Sequence, residues 1–125
     1  MTYNSCQPDA PNLNERELLT QPQAAELAGI FKLLASDSRL RMLHALERAG
    51  ELCVSELAAH VQMTPQAVSN QLQRLVDRRV LSARRDGLNV RYRIVDPCVT
   101  SLMELAWCTA ETSAQPDRAH VLANA

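Results

Sequence analysis

The feature that most constrains this chain is the stretch Thr64–Asp77, whose residue spacing predicts one amphipathic helix. Thr64 is a favourable N-cap, and Pro65 suits the first helical position because its missing N–H is not needed there. Apolar residues recur at i, i+4, i+7 and i+8, and this stripe consists of Val68, Leu72, Leu75 and Val76. The opposite face is polar and carries Gln66, Ser69, Asn70, Gln73 and Arg74.

The polar face of this helix has the chemistry of a surface that reads nucleic acid. A helix face selected only for solubility would be rich in Glu and Lys. This face instead presents amides, a hydroxyl and a guanidinium, which pair with base edges and phosphates. On this evidence alone, an ordinary amphipathic helix with an uncharged face is an equal alternative. We predict that the helix lies in the major groove of DNA, with contacts from Gln66, Ser69, Asn70 and Arg74.

The distribution of charge favours the nucleic-acid interpretation, although the formal net charge of the whole chain is only −1. Residues 64–93 hold seven Arg and two Asp and therefore carry +5, whereas residues 1–63 and residues 94–125 each carry −3. A basic block between acidic flanks is the electrostatic pattern expected of a local DNA-binding surface.

The segments that flank the central helix predict a winged helix-turn-helix. A short helix over Val54–His60 and a turn over Val61–Met63 precede it. After it, Val80–Arg85 and Val90–Val95 resemble strands joined by a turn at Gly87, which predicts a β-hairpin. We expect this hairpin to rest as a wing on the phosphate backbone through Arg84, Arg85 and Arg91. Arginines that only protect a solvent-facing strand edge are the alternative.

The rest of the chain completes a fold that is mainly α (α+β), a winged helix-turn-helix with a two-stranded β-hairpin wing. Residues 1–20 are expected to be a flexible N-terminal arm, 21–113 the DNA-binding and dimerisation domain, and 114–125 a polar tail. Further helices are predicted over Gln21–Ala35, over Ser38–Ala49 with Leu40, Leu43 and Leu46 inward, and from Pro97 to about Ser113. The last helix has no partner within so small a domain, so we predict a homodimer through the first and last helices.

Composition excludes several other classes of protein. Hydrophobic residues make up 46% and aromatic residues only 3%, so aliphatic helix packing must form the core. No apolar run reaches membrane-spanning length, and the first residues lack a secretory signal pattern. No set of residues suited to catalysis is present, so we do not expect an enzyme. A cytoplasmic location follows, in which the four cysteines are expected to be free thiols or metal ligands rather than disulfides.

A family resemblance rests on two segments, FKLLASDSRLRMLHAL and ELCVSELAAHVQMTPQAVSNQLQRLVDRRVLSARRDGLNVRYRIVD. In this order they resemble the ArsR/SmtB family of metal-sensing repressors, over roughly residues 22–112. The resemblance implies a homodimeric winged helix-turn-helix protein. Its metal-free dimer would bind operator DNA and block transcription, and a bound metal ion would lower its DNA affinity.

The resemblance also implies where metal ligands would lie. ELCV begins the short helix, where a common sensor of the family has Cys-Val-Cys and this chain has Cys53 and Ser55. In some relatives an N-terminal arm supplies cysteines from the other subunit, a position that Cys6 would take. A second family site lies on the last helix, and its aligned positions here are Asp96, Cys98, Thr109 and Thr112. The oxygen-and-imidazole set that suits zinc is therefore broken.

The predicted metal ligands are the four cysteines, Cys53, Cys6, Cys98 and Cys108. Cys53 has the strongest case because a helix N-terminus favours the thiolate, although a small buried core thiol is the alternative. At ~1.5 Å rise per residue, Cys108 lies about 15 Å from Cys98 along one helix. The two could therefore share an ion only across a dimer, and Cys108 is the cysteine that we most expect to be a plain core thiol.

The thiols point to a soft metal ion as inducer. So few cysteines favour Hg(II), for which two thiolates suffice, over As(III), Cd(II) or Pb(II). Two alternatives stay open: a repressor of the same family that senses oxidation or persulfide through paired thiols, and a small dimerisation module without a DNA role.

Overall fold

The computed structural model describes residues 9–113, in which five α-helices and three strands follow one another along the chain. They are α1 (Gln21–Leu34), α2 (Asp37–Ala49), β1 (Leu52–Cys53), α3 (Val54–Val61), α4 (Pro65–Asp77), β2 (Leu81–Asp86), β3 (Asn89–Ile94) and α5 (Pro97–Ser113). Residues 11–96 form one compact unit, and α5 belongs to another. The predicted order of helices and hairpin is confirmed.

Local sequence signals fix the ends of the first two helices. The Thr20 side chain accepts a hydrogen bond from the Gln23 N–H, and the Gln23 side chain accepts one from the Thr20 N–H. Ser36 caps α2 by accepting from the N–H of Arg39. Gly50 follows α2 with a φ of 87°, a left-handed conformation that glycine adopts without a steric penalty. The bounds predicted for both helices agree with these ends to within one residue.

The core of the 11–96 unit is aliphatic and lies where α2, α3 and α4 pack together. Its largest fully buried side chains are Met42, Leu43, Leu46, Leu57, Val68, Leu72 and Leu75. Each such side chain contributes about 2 kcal/mol relative to an exposed one. Among residues 9–113, no polar or charged residue is buried, so the polar groups of α4 are left for the surface.

The three strands form one antiparallel sheet in the order β1-β3-β2. Sequence reasoning predicted only the β2–β3 hairpin, because two residues of β1 are too few to show a strand period. Leu52 pairs with Tyr92, and Cys53 pairs with Arg91. The strand β1 therefore ties the hairpin to the first residues of α3, and the wing is attached directly to the helix-turn-helix.

One prediction about the core of α2 is wrong. Leu40, expected to point inward, has 38% of its surface exposed. The buried stripe of α2 consists instead of Met42, Leu43 and Leu46. At ~100° per residue, Leu40 lies about 110° from the centre of that stripe, which explains its exposure.

The proposed domain bounds remain predictions at both ends, because residues 1–8 and 114–125 lie outside the described residues. Within residues 9–113, no helix combines the length and the apolar character needed to cross a membrane.

The burial of α4 leads to a first test. Leu72→Ala removes a side chain with no exposed surface, and we expect it to lower the free energy of unfolding by about 2–5 kcal/mol. Leu88→Ala is the matched control, because Leu88 is 100% exposed and should change stability by less than about 0.5 kcal/mol. Chemical denaturation measures both, and equal effects of the two variants would contradict the assigned core.

Candidate nucleic-acid interface and thiol positions

The outer face of α4 brings together the side chains predicted to read bases. Gln66, Asn70 and Arg74 are exposed, and Ser69 is half-buried. The Gln66 amide donates a hydrogen bond to Oδ1 of Asn70 at 3.1 Å. Amide side chains at such a position match the donor and acceptor groups of adenine in the major groove. The arrangement is therefore suited to base reading, with Gln66 supporting Asn70.

Capping and burial hold α4 behind this polar face. Oγ1 of Thr64 accepts a hydrogen bond from the N–H of Ala67 at 3.2 Å, so the helix starts where the sequence predicts. Val68, Leu72 and Leu75 have no exposed surface. Since these three residues face the core, the polar side chains of α4 are forced outward.

A guanidinium that sequence reasoning missed also braces α4. Nε of Arg39 donates to Oε1 of Gln71 at 2.5 Å, and Nη1 donates to the carbonyl oxygen of Leu33 at 2.9 Å. Arg39 thereby links the end of α1, the start of α2 and the side of α4. Its partners are six and thirty-two residues away in the chain, so no local pattern could have indicated this role.

Strand alternation divides the arginines of the wing between two faces of the hairpin. Arg84 and Arg91 lie directly opposite each other, and Arg93 lies on the same face opposite Ser82. Arg85 has the opposite orientation, because it is the neighbour of Arg84 along β2.

Two of the three arginines predicted to touch phosphates form ion pairs within the chain. Nη2 of Arg84 lies 2.6 Å from Oε1 of Glu51. Arg91 lies between two carboxylates, with Nη1 3.3 Å from Glu56 Oε1 and Nε 3.1 Å from Asp86 Oδ2. Their roles as phosphate contacts remain predictions, and in this structure both guanidiniums already have anionic partners.

Two of the carboxylates that make these pairs, Glu51 and Glu56, have a pKa below the ordinary value. The hydrogen bond from Arg84 is the largest cause that lowers the pKa of Glu51 below its ordinary value of 4.5. For Glu56 the largest cause of a lowered pKa is the backbone N–H of Cys53, with a further contribution from Arg91. Both glutamates lie outside residues 64–93, so the net charge of that segment does not include them. The spacing of Cys53 and Glu56, that of a capping box, was the available signal.

Arg85 is the predicted phosphate contact that the structure leaves accessible. It is exposed, and among residues 9–113 no carboxylate forms an ion pair with it. An exposed guanidinium on a hairpin beside α4 is suited to a phosphate contact.

Cys53 is buried, with 6% of its surface exposed, at the junction of β1 and α3. Its Sγ lies 3.2 Å from Oγ of Ser55. Its backbone N–H donates to Oε1 of Glu56 at 3.0 Å. This thiol is therefore at the start of a helix, as predicted, and its nearest polar neighbours are a hydroxyl and a carboxylate.

Two predictions about the other thiols are wrong. Cys108 was expected in the core but is exposed; at ~100° per residue it lies on the side of α5 opposite the buried Val99. Cys98, expected as a free thiol or metal ligand rather than in a disulfide, is exposed in the first turn of α5 and is disulfide-bonded. An accessible sulfur in the first turn of a helix can meet another thiol and form a disulfide. Cys6 lies outside the described residues.

The described part of a single chain does not assemble a metal site. Among residues 9–113, no group of three or more His, Cys, Asp or Glu side chains is close enough to hold an ion.

The comparisons with known proteins agree with this arrangement. Residues 36–83, which run from the cap of α2 into β2, match the model described as "Bacterial regulatory protein, arsR family". A transcriptional repressor SmtB homolog from Synechocystis is 43% identical over 86 residues, which cover 69% of this chain and 64% of that protein. A protein named "Probable mercury resistance operon repressor" from Streptomyces lividans is 40% identical over 87 residues, covering 70% and 69%.

Solved structures show the same fold. The crystal structure of the AntR antimony-specific transcriptional repressor superposes with a TM-score of 0.73 at 57% identity, covering 84% of this chain and 95% of that one. The homodimeric winged helix-turn-helix DNA-binding domain of Mb0332 from Mycobacterium bovis gives a TM-score of 0.65 at 30% identity, covering 80% and 94%. The predicted fold class, a winged helix-turn-helix, is confirmed.

The accessibility of Arg85 leads to a test on DNA. We expect Arg85→Ala to weaken binding to all duplex sequences alike and to lower the slope of log affinity against log salt by roughly one, because one phosphate contact is lost. Arg85→Lys keeps the charge and should keep the slope. Fluorescence anisotropy at several salt concentrations measures both variants, and an unchanged slope in Arg85→Ala would remove this residue from the phosphate contacts.

Asn70→Ala tests the reading of bases. Loss of its amide should reduce discrimination at one base-pair position by about 1–3 kcal/mol while affinity for unrelated duplexes stays unchanged. Gln73→Ala is a matched control on the same helix, since Gln73 donates to Asp77 at 2.9 Å and is not among the predicted contacts. Affinities for a panel of single-base variants of the preferred duplex provide the readout. A uniform loss across the panel would mean that Asn70 only positions the helix.

Proposed function

This chain belongs to the arsR family of bacterial regulatory proteins, and we propose that it is a transcriptional repressor that binds operator DNA as a homodimer and is released by a thiophilic metal or metalloid ion. The observation that carries this proposal is the division of α4 into two sides, with buried Val68, Leu72 and Leu75 behind an exposed polar face. Its similarity to named repressors supports the same conclusion. We place the activity in the cytoplasm, where DNA and reduced thiols occur together.

On DNA, α4 would enter the major groove and the hairpin would rest on the backbone. Gln66, Ser69, Asn70 and Arg74 would face the base edges, and Arg85 would contact a phosphate. Two copies related by a two-fold axis would present two such helices about one DNA turn apart, which suits a palindromic operator.

The inducer that we favour is a trivalent metalloid, antimonite or arsenite. This choice rests on the 57% identity with a repressor described as antimony-specific. Hg(II), which needs only two thiolates, is the second candidate and is supported by similarity to a protein named for mercury resistance. Cd(II) and Pb(II) are soft enough to bind the same thiols, and the cysteines by themselves do not distinguish these ions.

The spacing of α5 supports a thiol site shared between two subunits. Alternating steps of three and four residues place five side chains on one stripe of the helix: Cys98, Ser101, Leu105, Cys108 and Thr112. Two copies of such a stripe can pair antiparallel about a two-fold axis at the level of Met103, midway along the helix between the two cysteines. Cys98 would then lie opposite Cys108 of the partner subunit, and each dimer would hold two equivalent thiol pairs. Cys6 would supply a further thiolate to each pair.

Cys53 is the alternative position for the inducer. A helix start favours a thiolate there, but the residue is only 6% exposed and its hydrogen-bonding neighbours are Ser55 and Glu56 rather than another thiol. A site at Cys53 would need its remaining soft ligands from the arm of the partner subunit.

Serine variants of the reduced protein distinguish the two positions. We expect Cys98→Ser and Cys108→Ser to abolish antimonite-induced release of operator DNA, because each removes one sulfur from every shared site. Cys53→Ser should still release DNA. Saturating antimonite should lower the operator affinity of this variant about ten-fold, which is within the range of typical allosteric couplings.

Operator affinity with and without antimonite, and with mercuric chloride in a parallel series, provides the measurement. Loss of release in Cys53→Ser together with normal release in Cys98→Ser and Cys108→Ser would move the inducer site to α3.

A thiol-redox repressor is a second candidate, favoured by the disulfide at Cys98. In that case an oxidant or polysulfide would release the operator without any metal, and a reductant would restore binding. Release by peroxide in the presence of a chelator, with no effect of antimonite, would establish this function in place of metal sensing.

A further inference from the structure

A row of three side chains crosses one face of the sheet. The register places Cys53 on β1 beside Arg91 on β3, and Arg91 beside Arg84 on β2. Directly opposed residues in an antiparallel pair have their Cβ atoms about 5 Å apart, and like charges in that position destabilise the pair. Two adjacent guanidiniums therefore need anionic partners if the wing is to keep its shape.

Three carboxylates from separate parts of the chain surround this row. Glu51 precedes β1, Glu56 lies in the first turn of α3, and Asp86 ends β2. These are the ion-pair partners of the two guanidiniums. The wing thus contains positive charges that its own neighbours neutralise before any DNA is present.

Arg91 and Arg84 differ in what they connect. Arg91 bridges Glu56, on the first helix of the helix-turn-helix, and Asp86, at the far end of the hairpin, and its side chain is only 28% exposed. Arg84 pairs with Glu51 alone, and its side chain is 56% exposed. Of these two arginines, Arg91 is the one whose ion pairs join the hairpin to α3.

Glu56 has two roles at the same place. Its Oε1 accepts from the backbone N–H of Cys53 at 3.0 Å and from Nη1 of Arg91 at 3.3 Å. One carboxylate oxygen therefore both caps the start of α3 and forms the ion pair with Arg91 of the wing. Because α3 packs against α4, this contact relates the position of the hairpin to that of the base-reading helix.

We propose that Arg91 is a positioning residue, which clamps the wing to α3 through Glu56 and Asp86 and does not itself bind DNA phosphate. Arg84 and Arg85 are the guanidiniums of β2 that contact the backbone, Arg84 by exchanging Glu51 for a phosphate. The inference rests on the DNA binding set out under the proposed function. It replaces the direct role that the sequence suggested for Arg91.

Glu56→Gln and Glu51→Gln form a matched pair that tests this clamp. Glutamine preserves the capping hydrogen bond of Glu56 but removes its charge. If Arg91 is a clamp, Glu56→Gln loosens the wing, and DNA affinity falls about two- to five-fold with an unchanged salt slope. Glu51→Gln instead frees an exposed arginine, so affinity is equal or higher and the slope becomes steeper. Tighter binding with a steeper slope in Glu56→Gln would overturn the proposal, because Arg91 would then contact a phosphate once its ion pair with Glu56 is lost.

Arg91→Lys separates positioning from charge in a second way. Lysine keeps the positive charge that a phosphate needs but cannot bridge two carboxylates with a planar fork. The clamp predicts a loss of affinity equal to that of Glu56→Gln, and no additional loss in the double variant Glu56→Gln/Arg91→Lys. Wild-type affinity in Arg91→Lys would overturn the proposal.

Amide hydrogen exchange of the free protein tests the clamp without DNA. The amides of β3 should exchange about two- to five-fold faster in Glu56→Gln and Arg91→Lys than in wild type, while those of α4 remain unchanged. Unchanged exchange in β3 would overturn the clamp even if the protein is a repressor. If instead wild type binds no duplex but β3 loosens as expected, the proposed function fails and the clamp stands.

Discussion

The burial of one side of α4 is the constraint on which the rest of the structure depends. Val68, Leu72 and Leu75 have no exposed surface, so the helix cannot rotate without exposing them. A rotation that exposed even one leucine would cost about 1.5–3 kcal/mol. The direction of Gln66, Asn70 and the other polar side chains is therefore a consequence of aliphatic packing against α2 and α3. DNA reading needs such rigidity, since base contacts demand fixed positions.

Electrostatics then determines which parts of the surface are free to meet DNA. The basic block at residues 64–93 carries +5 by composition, but Glu51 and Glu56 reach into it from outside and pair with Arg84 and Arg91. The positive charge that faces a duplex is therefore smaller than the sequence count suggests, and it is concentrated on guanidiniums such as Arg85. The ion pairs that form before DNA binds also hold the wing in shape. The arginines of the wing therefore contribute to its structure as well as to DNA recognition.

Much of this fold could be predicted from the sequence because it depends on local signals. Helix ends are fixed by contacts within a few residues, at Thr20, Ser36, Gly50 and Thr64. What escaped prediction depends on distant pairing: the two residues of β1, and the side chain of Arg39, whose partner on α4 is thirty-two residues away. For the candidate site, the polar face of α4 followed from its helical spacing. The pairing of Arg91 with Glu56 did not, because the two residues are 35 positions apart in the chain.

The thiols show a different limit of sequence reasoning. The spacing of Cys98 and Cys108 along one helix precludes a shared ion in a single chain, yet the same spacing permits one between two antiparallel copies of α5. Ligand sets that a two-fold axis completes cannot be found by searching one chain for clusters. Cys53 shows the opposite case. Its position at a helix start made it the strongest candidate ligand in the sequence, but the fold buries it and leaves it 6% exposed.

The most direct test of the central claim is the coupling between ion and DNA in the reduced wild-type protein. Operator affinity should be measured at one fixed salt concentration, first with a chelator and then with saturating antimonite, while sedimentation confirms that the protein is a dimer in both states. The account predicts specific binding without the ion and an affinity at least about ten-fold lower with it. Equal affinity in the two states, for antimonite and for Hg(II) alike, would contradict the claim that thiol-bound ions release this protein from DNA.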